Sequence, residues 1–217
     1  MVSMDKMSYT NAAKAWELAE QHARHMERPS LSEARNQAEQ AGLQQGSQAQ
    51  ANLLRFIASA MNATSVITVG SGSIMETLEL VEALGNDSLL TAVDSSSHGI
   101  GQIRRLFTSI ADQGQVKTTL RAVNASPEAF LPRLNAESYD LIAVCGDATN
   151  YQPTFNQAAR LLRGHGIVAF TDMCGTVSND PDKASMMQEL LKAVEEDDRF
   201  DSALTPTGTG LLLAVKR

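Results

Sequence analysis

Apolar positions along this chain follow two regimes, and the change falls near residue 65. Before it the spacing is helical. Leu53, Leu54, Ile57, Ala58 and Met61 recur at helical intervals, and residues 12–26 are rich in the good helix formers Ala, Glu and Leu. Pro29-Ser30 and Gly46-Ser47 interrupt the pattern, and Ser30 or Ser32 is placed to cap the helix that follows the proline. After residue 65, short β-rich runs alternate with amphipathic ones. Residues 65–70 (SVITVG), 88–94 (SLLTAVD), 117–123, 139–145 (YDLIAVC) and 166–172 (GIVAFTD) read as strands. Residues 74–84, 98–112, 127–134, 153–162 and 181–194 read as helices. Ile74, Leu78 and Val81 share one face of the first of these, Ile103, Leu106, Phe107 and Ile110 one face of the second, and Gly85-Asn86 suits the C-terminus of the first. At the end the rhythm changes: residues 200–204 and 211–215 are apolar runs separated by the loop TPTGTG, a hairpin signal. Five β-then-α units predict a mostly parallel sheet covered by helices on both faces, and the terminal antiparallel hairpin brings it to seven strands.

Composition narrows the function classes. The chain has 217 residues, enough for one α/β domain (61–217) behind an N-terminal helical segment (1–60) expected to act as a lid and dimerisation element. Apolar residues make up 43%, which supports a packed core. The net charge of −7, without a long basic run, argues against nucleic acid as the partner. No apolar run approaches the roughly 20 residues of a membrane helix, so no membrane partner is expected. The opening Met1-Val2-Ser3-Met4-Asp5-Lys6 lacks the apolar stretch of a signal peptide, and two cysteines make no disulfide framework. A cytoplasmic protein is the expectation.

The first chemical signal is the glycine loop Val69-Gly70-Ser71-Gly72-Ser73 between the first strand and the helix after it. Ligands of doubly wound sheets bind at such strand ends, and glycine lets a ligand approach the backbone. One strand later Asp94 ends TAVD, where a carboxylate can accept from a ribose diol. The plainer reading is a turn and a helix cap. A dinucleotide site wants a small residue at the place taken by Met75, which disfavours NAD or FAD. S-adenosylmethionine, a ribose-bearing cofactor without pyrophosphate, fits better.

With these motifs in order, the chain resembles bacterial O-methyltransferases of the catechol and caffeoyl-CoA type, from about residue 46 to residue 217. The family's V-L-E-I-G-T-G-x-G-Y-S is matched by residues 66–76 (VITVGSGSIME), and its F-D-L-I-F-I-D-A-D-K-x-x-Y by residues 139–151. Its L-L-R-P-G-G-L-I-V-A-D-N is matched by residues 161–172, and its closing L-P-x-G-x-G-L-x-x-A-x-K by residues 205–217. The resemblance implies a Rossmann-like class I methyltransferase fold and S-adenosylmethionine as cofactor. It places Gly70, Ser71, Gly72, Glu76, Asp94, Ser95, Asn124, Ala125 and Cys145 around that cofactor, with Asp94 at the ribose and Asn124-Ala125 beside the adenine. It also implies a small-molecule acceptor. The apolar Trp16, Leu18, Leu53, Leu54 and Ile57 of the N-terminal helices are expected to cover the cofactor cleft and join a two-fold homodimer.

The departures bear on chemistry. Thr68 replaces an acid and Ile74 a glycine of the first motif. At the family's three metal-ligand positions stand Cys145, Thr171 and Asp172, and Ala148 stands where the family has its catalytic lysine. Mg²⁺ wants hard oxygen ligands, so a divalent metal site is doubtful. Asp147 or Asp172 is left as the candidate catalytic base. His98, Asn150, Tyr151 and Cys174 are further polar groups at strand ends, each with an ordinary structural reading. A softer-metal site on Cys145, Cys174, Asp147 and Asp172 lacks a recognised zinc spacing. His22 and His25 read as a solvated helix face, and His165 as a turn residue. The leading expectation is an O-methyltransferase acting on a small-molecule hydroxyl. The alternatives are a catalytically inactive protein that binds S-adenosylmethionine or S-adenosylhomocysteine and, opposed by Met75 and the hairpin, an NAD-dependent oxidoreductase.

Overall fold

The computed structural model describes residues 6–70, 73–112, 118–173 and 180–217, with side chains from residue 11. Three helices come first: α1 (Lys6–His25), α2 (Pro29–Gln40) and α3 (Gln48–Ala60). There follow β1 (Ser65–Val69), α4 (Ile74–Ala83), β2 (Leu89–Asp94), α5 (Ser97–Asp112), β3 (Thr119–Asn124), α6 (Pro127–Phe130), β4 (Tyr139–Val144), α7 (Tyr151–Leu161), β5 (Leu162–Phe170), α8 (Pro181–Glu195), β6 (Phe200–Thr205) and β7 (Leu211–Lys216). The sheet order is β3-β2-β1-β4-β5-β7-β6. The first five strands pair parallel, and β7 lies antiparallel between β5 and β6. The strand order reverses between β1 and β4, and their C-terminal ends open the cleft where such sheets bind ligands.

Alternation along the strands assigns the two faces. Val66, Leu90, Ala92, Leu141, Ala143 and Ala169 point toward α4 and α5, and Leu31, Ala34, Ala38, Leu54 and Ala58 of α2 and α3 join that same core. Ile67, Val69, Ile142, Val144, Val168 and Phe170 point the other way, onto Phe155, Ala158 and Leu161 of α7 and Met187, Leu190 and Val194 of α8. The N-terminal helices are also tied to α4 by a buried polar network. The guanidinium of Arg35 donates to Glu27 (3.3 Å), the Gly46 carbonyl (3.1 Å) and Gln48 Oε1 (2.7 Å). Gln48 Nε2 in turn donates to Glu79 Oε1 of α4 (2.8 Å).

Several boundaries differ from the sequence reading. Neither Ser30 nor Ser32 caps α2; Pro29 occupies its first turn and Arg28 its cap position, with no side-chain cap bond. Ser47 does cap α3, accepting from the Gln50 N–H (3.3 Å). The left-handed residue after α4 is Asp87 (φ 62°), not Gly85. The helix expected over 127–134 is a four-residue helix followed by a 3₁₀ turn at Leu131–Arg133. Helix α7 starts at Tyr151, because Pro153 falls in a first turn whose N–H groups have no helical partner in any case. Strand β5 starts four residues early: Tyr139 pairs with Leu162 and Leu141 with Ile167, so His165 (φ 63°) sits in a bulge within the strand. Lys117, expected to open β3, lies outside the described residues.

Candidate cofactor and acceptor site

The cleft is built on close backbone contact between β1 and β4. Gly70 follows β1 at φ +98°, donates to the Val93 carbonyl (2.9 Å), and leaves no room for a side chain: a Cβ there would stand 2.1 Å from the Cys145 carbonyl oxygen. Ser71 and Gly72, the next two residues expected to line the cofactor, lie outside the described residues, as does Cys174.

At the β2 and β3 end, Asp94 is buried, and its Oδ1 accepts from the Ser96 N–H (2.5 Å). Asn124 Nδ2 donates to the carbonyls of Asp94 (3.3 Å) and Ser95 (3.4 Å), and the Ala125 N–H to the Asp94 carbonyl (3.0 Å). The structure thus gathers four of the expected residues into one corner with Asp94 Oδ2 left over. His98 is drawn away from the cleft: its Nε2 lies 2.9 Å from the Ala41 carbonyl, joining α5 to the loop before α3.

At the β4 and β5 end, four ionisable groups face one another. Glu76, in the first turn of α4, is wholly buried, and neither carboxyl oxygen has a hydrogen-bond partner on another residue. A Cβ on Gly46 would come within 2.9 Å of its Oε1, so the loop before α3 is what covers it. Burial pushes the Glu76 carboxyl up to about 8; the Asp172 charge acts in the same sense, against the opposing pull of its own backbone N–H and of Arg35. The Cys145 thiol is buried, and burial pushes it well up, with Glu76 and Asp172 adding to the effect and a hydrogen bond to Thr171 opposing it. The Tyr151 hydroxyl donates to the Thr171 carbonyl (2.7 Å), and burial raises it far beyond its ordinary value. Its ring packs on Phe170, with centroids 5.6 Å apart.

Asp172 is a brace. It takes a left-handed backbone conformation (φ 60°) just past β5. Its Oδ2 accepts from the Gly146 N–H (3.1 Å) and the Thr171 hydroxyl (3.3 Å), and its Oδ1 from the Thr209 hydroxyl (2.6 Å). One carboxylate therefore ties the loops after β4 and β5 to the β6–β7 loop. Asp147 sits apart and exposed, with Oδ1 accepting from the Thr149 N–H (2.9 Å). It lines a cavity of about 310 Å³ with Gly146, Thr149, Asp182, Lys183 and Met186. A larger cavity, about 810 Å³, lies between α2 and α5, away from these strand ends.

Sequence reasoning missed the residues that close the site from a distance. Gln45 Oε1 accepts from the N–H groups of Ile74 (3.0 Å) and Met75 (3.4 Å) at the start of α4. Gln50 Nε2 donates to the carbonyls of Thr207 and Gly210 (2.9 Å each). Only Gly208 left a legible trace, as part of the closing T-G-T-G: a Cβ there would meet Ser47 at 2.6 Å.

Comparison with known proteins points one way. Residues 20–217 match a family model described as O-methyltransferase. A provisionally named O-methyltransferase of Mycobacterium marinum is 30% identical over 191 residues, which cover 86% of this chain and 84% of that protein. A protein of Corynebacterium glutamicum superposes with a TM-score of 0.79 at 20% identity, covering 93% of this chain and 97% of the other. An O-methyltransferase of Bacillus cereus, solved in complex with SAH, superposes with a TM-score of 0.75 at 16% identity over 94% and 99%.

Proposed function

The chain belongs to the O-methyltransferase family, and from that premise we propose that it methylates a hydroxyl of a small molecule with S-adenosylmethionine and without a Mg²⁺ ion. The observation that carries the cofactor reading is the row of groups along the strand ends. Asn124 ends β3 and Ala125 follows it, Asp94 ends β2, Gly70 follows β1, and Glu76, Cys145 and Asp172 lie toward β4 and β5. That order suits adenine, ribose and amino-acid tail in turn. Glu76, buried with both oxygens unpartnered, fits a bound molecule that supplies the missing partner. The bound Bacillus cereus structure, in complex with SAH, supports the same reading.

When bound, the cofactor supplies a methyl group on a sulfonium sulfur, which passes to the acceptor oxygen as the carbon–sulfur bond breaks. The chain's part is to hold the acceptor in line and take up its proton. Asp147 suits the second task, since it is exposed on the 310 Å³ cavity and only its Oδ1 is engaged. Asp172 already accepts from three donors and suits positioning. The metal-position donors do not fit Mg²⁺: a buried neutral thiol, a hydroxyl bonded to its neighbour, and one carboxylate engaged by the protein itself. The buried Ala148 offers no side-chain amine. The same substitutions favour, as a second reading, a protein that binds the cofactor without turning it over.

The exposed apolar side chains Trp16 and Leu18 of α1, Met26 just after it and Phe56 of α3 support a homodimer formed through the N-terminal helices. Titration calorimetry with S-adenosylmethionine and S-adenosylhomocysteine tests the cofactor, and a screen of hydroxylated acceptors with methyl-labelled cofactor tests transfer. Binding of both with label transfer to an oxygen is the expected result; binding without transfer to any acceptor selects the second reading. Binding of NADH and of neither methionine derivative overturns the proposal.

A further inference from the structure

The mechanism above gives Glu76 no chemical step, yet among the described residues it is the carboxyl whose two oxygens are both buried and both unpartnered. Such a group is costly to keep charged and is retained as the acid, or as a carboxylate with a cation beside it. Among the described residues the cation acting on Glu76 is Arg35. Its guanidinium makes no ion pair with Glu76 and is engaged by Glu27, the Gly46 carbonyl and Gln48. From the other packed elements the groups facing Glu76 are the Cys145 thiol after β4, the Tyr151 hydroxyl of α7 and the Asp172 carboxylate after β5. On α4 itself Glu79 lies one turn on, paired with Arg55 (2.8 Å) and Gln48. Nothing in this set would neutralise a charged Glu76, and Asp172 opposes it. Meanwhile the Ile74 and Met75 N–H groups in the same turn already donate to Gln45. The pocket end therefore lacks a positive group.

We propose that cofactor binding is proton-coupled: the ammonium of the cofactor's amino-acid tail takes the place of the proton on Glu76, which is released to solvent. The charge balance is simple. Glu76 enters as a neutral acid, the O–H bond breaks, the proton leaves to water, and the carboxylate pairs with the incoming ammonium. The inference rests on S-adenosylmethionine being the cofactor, and on the strand order that brings the tail to the β4–β5 end. It gives the cleft a pH response in the physiological range: affinity rises as pH rises toward the point where Glu76 no longer holds a proton beforehand.

The test is calorimetric titration of the full chain with S-adenosylhomocysteine at pH 6.5, in buffers of different ionisation enthalpy. The expected result is release of close to one proton per molecule bound, and none in Glu76→Gln. The apparent Kd of the wild type should fall close to tenfold between pH 6 and 7 and level off above about 8. This second measurement decides the matter even if the variant binds too weakly to titrate. Binding without proton release, a Kd that is flat between pH 6 and 8, or equal release from Glu76→Gln overturns the proton coupling while leaving the cofactor assignment standing. If neither methionine derivative binds at all, both fall together.

Discussion

Asp94 and Glu76 are both buried acids close to the cleft, yet their surroundings prepare them for opposite work. Asp94 has the Ser96 N–H on one oxygen and the other free, so it can accept from a ribose hydroxyl as a carboxylate. Asp94→Ala should weaken binding of S-adenosylhomocysteine by about 1.5–3 kcal/mol, the value of a hydrogen bond to a charged group, measured by calorimetry. An unchanged Kd would remove it from the site. Glu76 makes a prediction about folding itself. Its folded value of about 8 lies above the 4.5 of the unfolded chain, so between those values the folded protein holds a proton that the unfolded chain has lost. Its stabilising effect is fully present below pH 4.5 and disappears as pH rises toward 8, with a slope of about 1.4 kcal/mol per pH unit. Denaturant unfolding of the cofactor-free protein at pH 5.5, 6.5 and 7.5 should show this decline, and Glu76→Gln should lack it. Parallel curves for the two proteins would mean that Glu76 is charged throughout. The sequence lists Glu76 by its place in a motif, but its isolation was not legible. That isolation depends on Gly46, thirty residues earlier, covering it, and no local pattern records such a contact.

At the scale of elements, the strands were legible because β-rich runs are local signals, while their faces were not, since the central strands are buried on both sides. The errors fall where tertiary pairing overrides a local one. Gly164-His165-Gly166 has the composition of a turn, but pairing with β4 carries the strand through it as a bulge. Pro153 has the look of a helix start, though a 3₁₀ turn at Ala148–Asn150 lets α7 begin two residues before it. Gln45, Gln48, Gln50 and Thr209 gave no signal because glutamine and threonine in loops are ordinary until their distant partners are known. The ends of β4 and β5 also set the metal question. A thiol held neutral by burial is a poor ligand for a hard cation, and Asp172 Oδ1 and Oδ2 are committed to Thr209, Gly146 and Thr171. Turnover, on whatever acceptor the screen finds, should survive exhaustive EDTA treatment with little loss. Loss of activity restored by Mg²⁺ alone would show that these strand ends rearrange to bind it.

For the whole molecule, the N-terminal helices do two jobs on opposite sides. Their inner faces complete the core over α4 and α5, and their outer faces carry the exposed Trp16, Leu18, Met26 and Phe56. Sedimentation at micromolar concentration should give twice the chain mass, and Trp16→Glu with Phe56→Glu should return it to one. A wild-type monomer at high micromolar concentration would leave those side chains without a dimer to explain them. Among the described residues no helix is long and apolar enough to cross a membrane.

The brace at Asp172 reaches Thr209, 37 positions on, and the Gln50 bonds to the β6–β7 loop join residues about 160 positions apart in the chain. A ribosome delivers β1 to β5, and with them most of the cleft's polar groups, well before β6 and β7 exist. Until β7 inserts antiparallel beside β5, that strand is an open edge, and neither Asp172 nor Gln50 has its loop partner. The site is thus finished by the strands of the sheet made last, which makes ligand binding a report on closure of the sheet. A chain stopped after Glu195 should retain Asp94, Gly70 and Glu76 and still fail to bind S-adenosylhomocysteine in an equilibrium dialysis measurement. Binding by that fragment would show that the nascent cleft can be loaded before the sheet is closed.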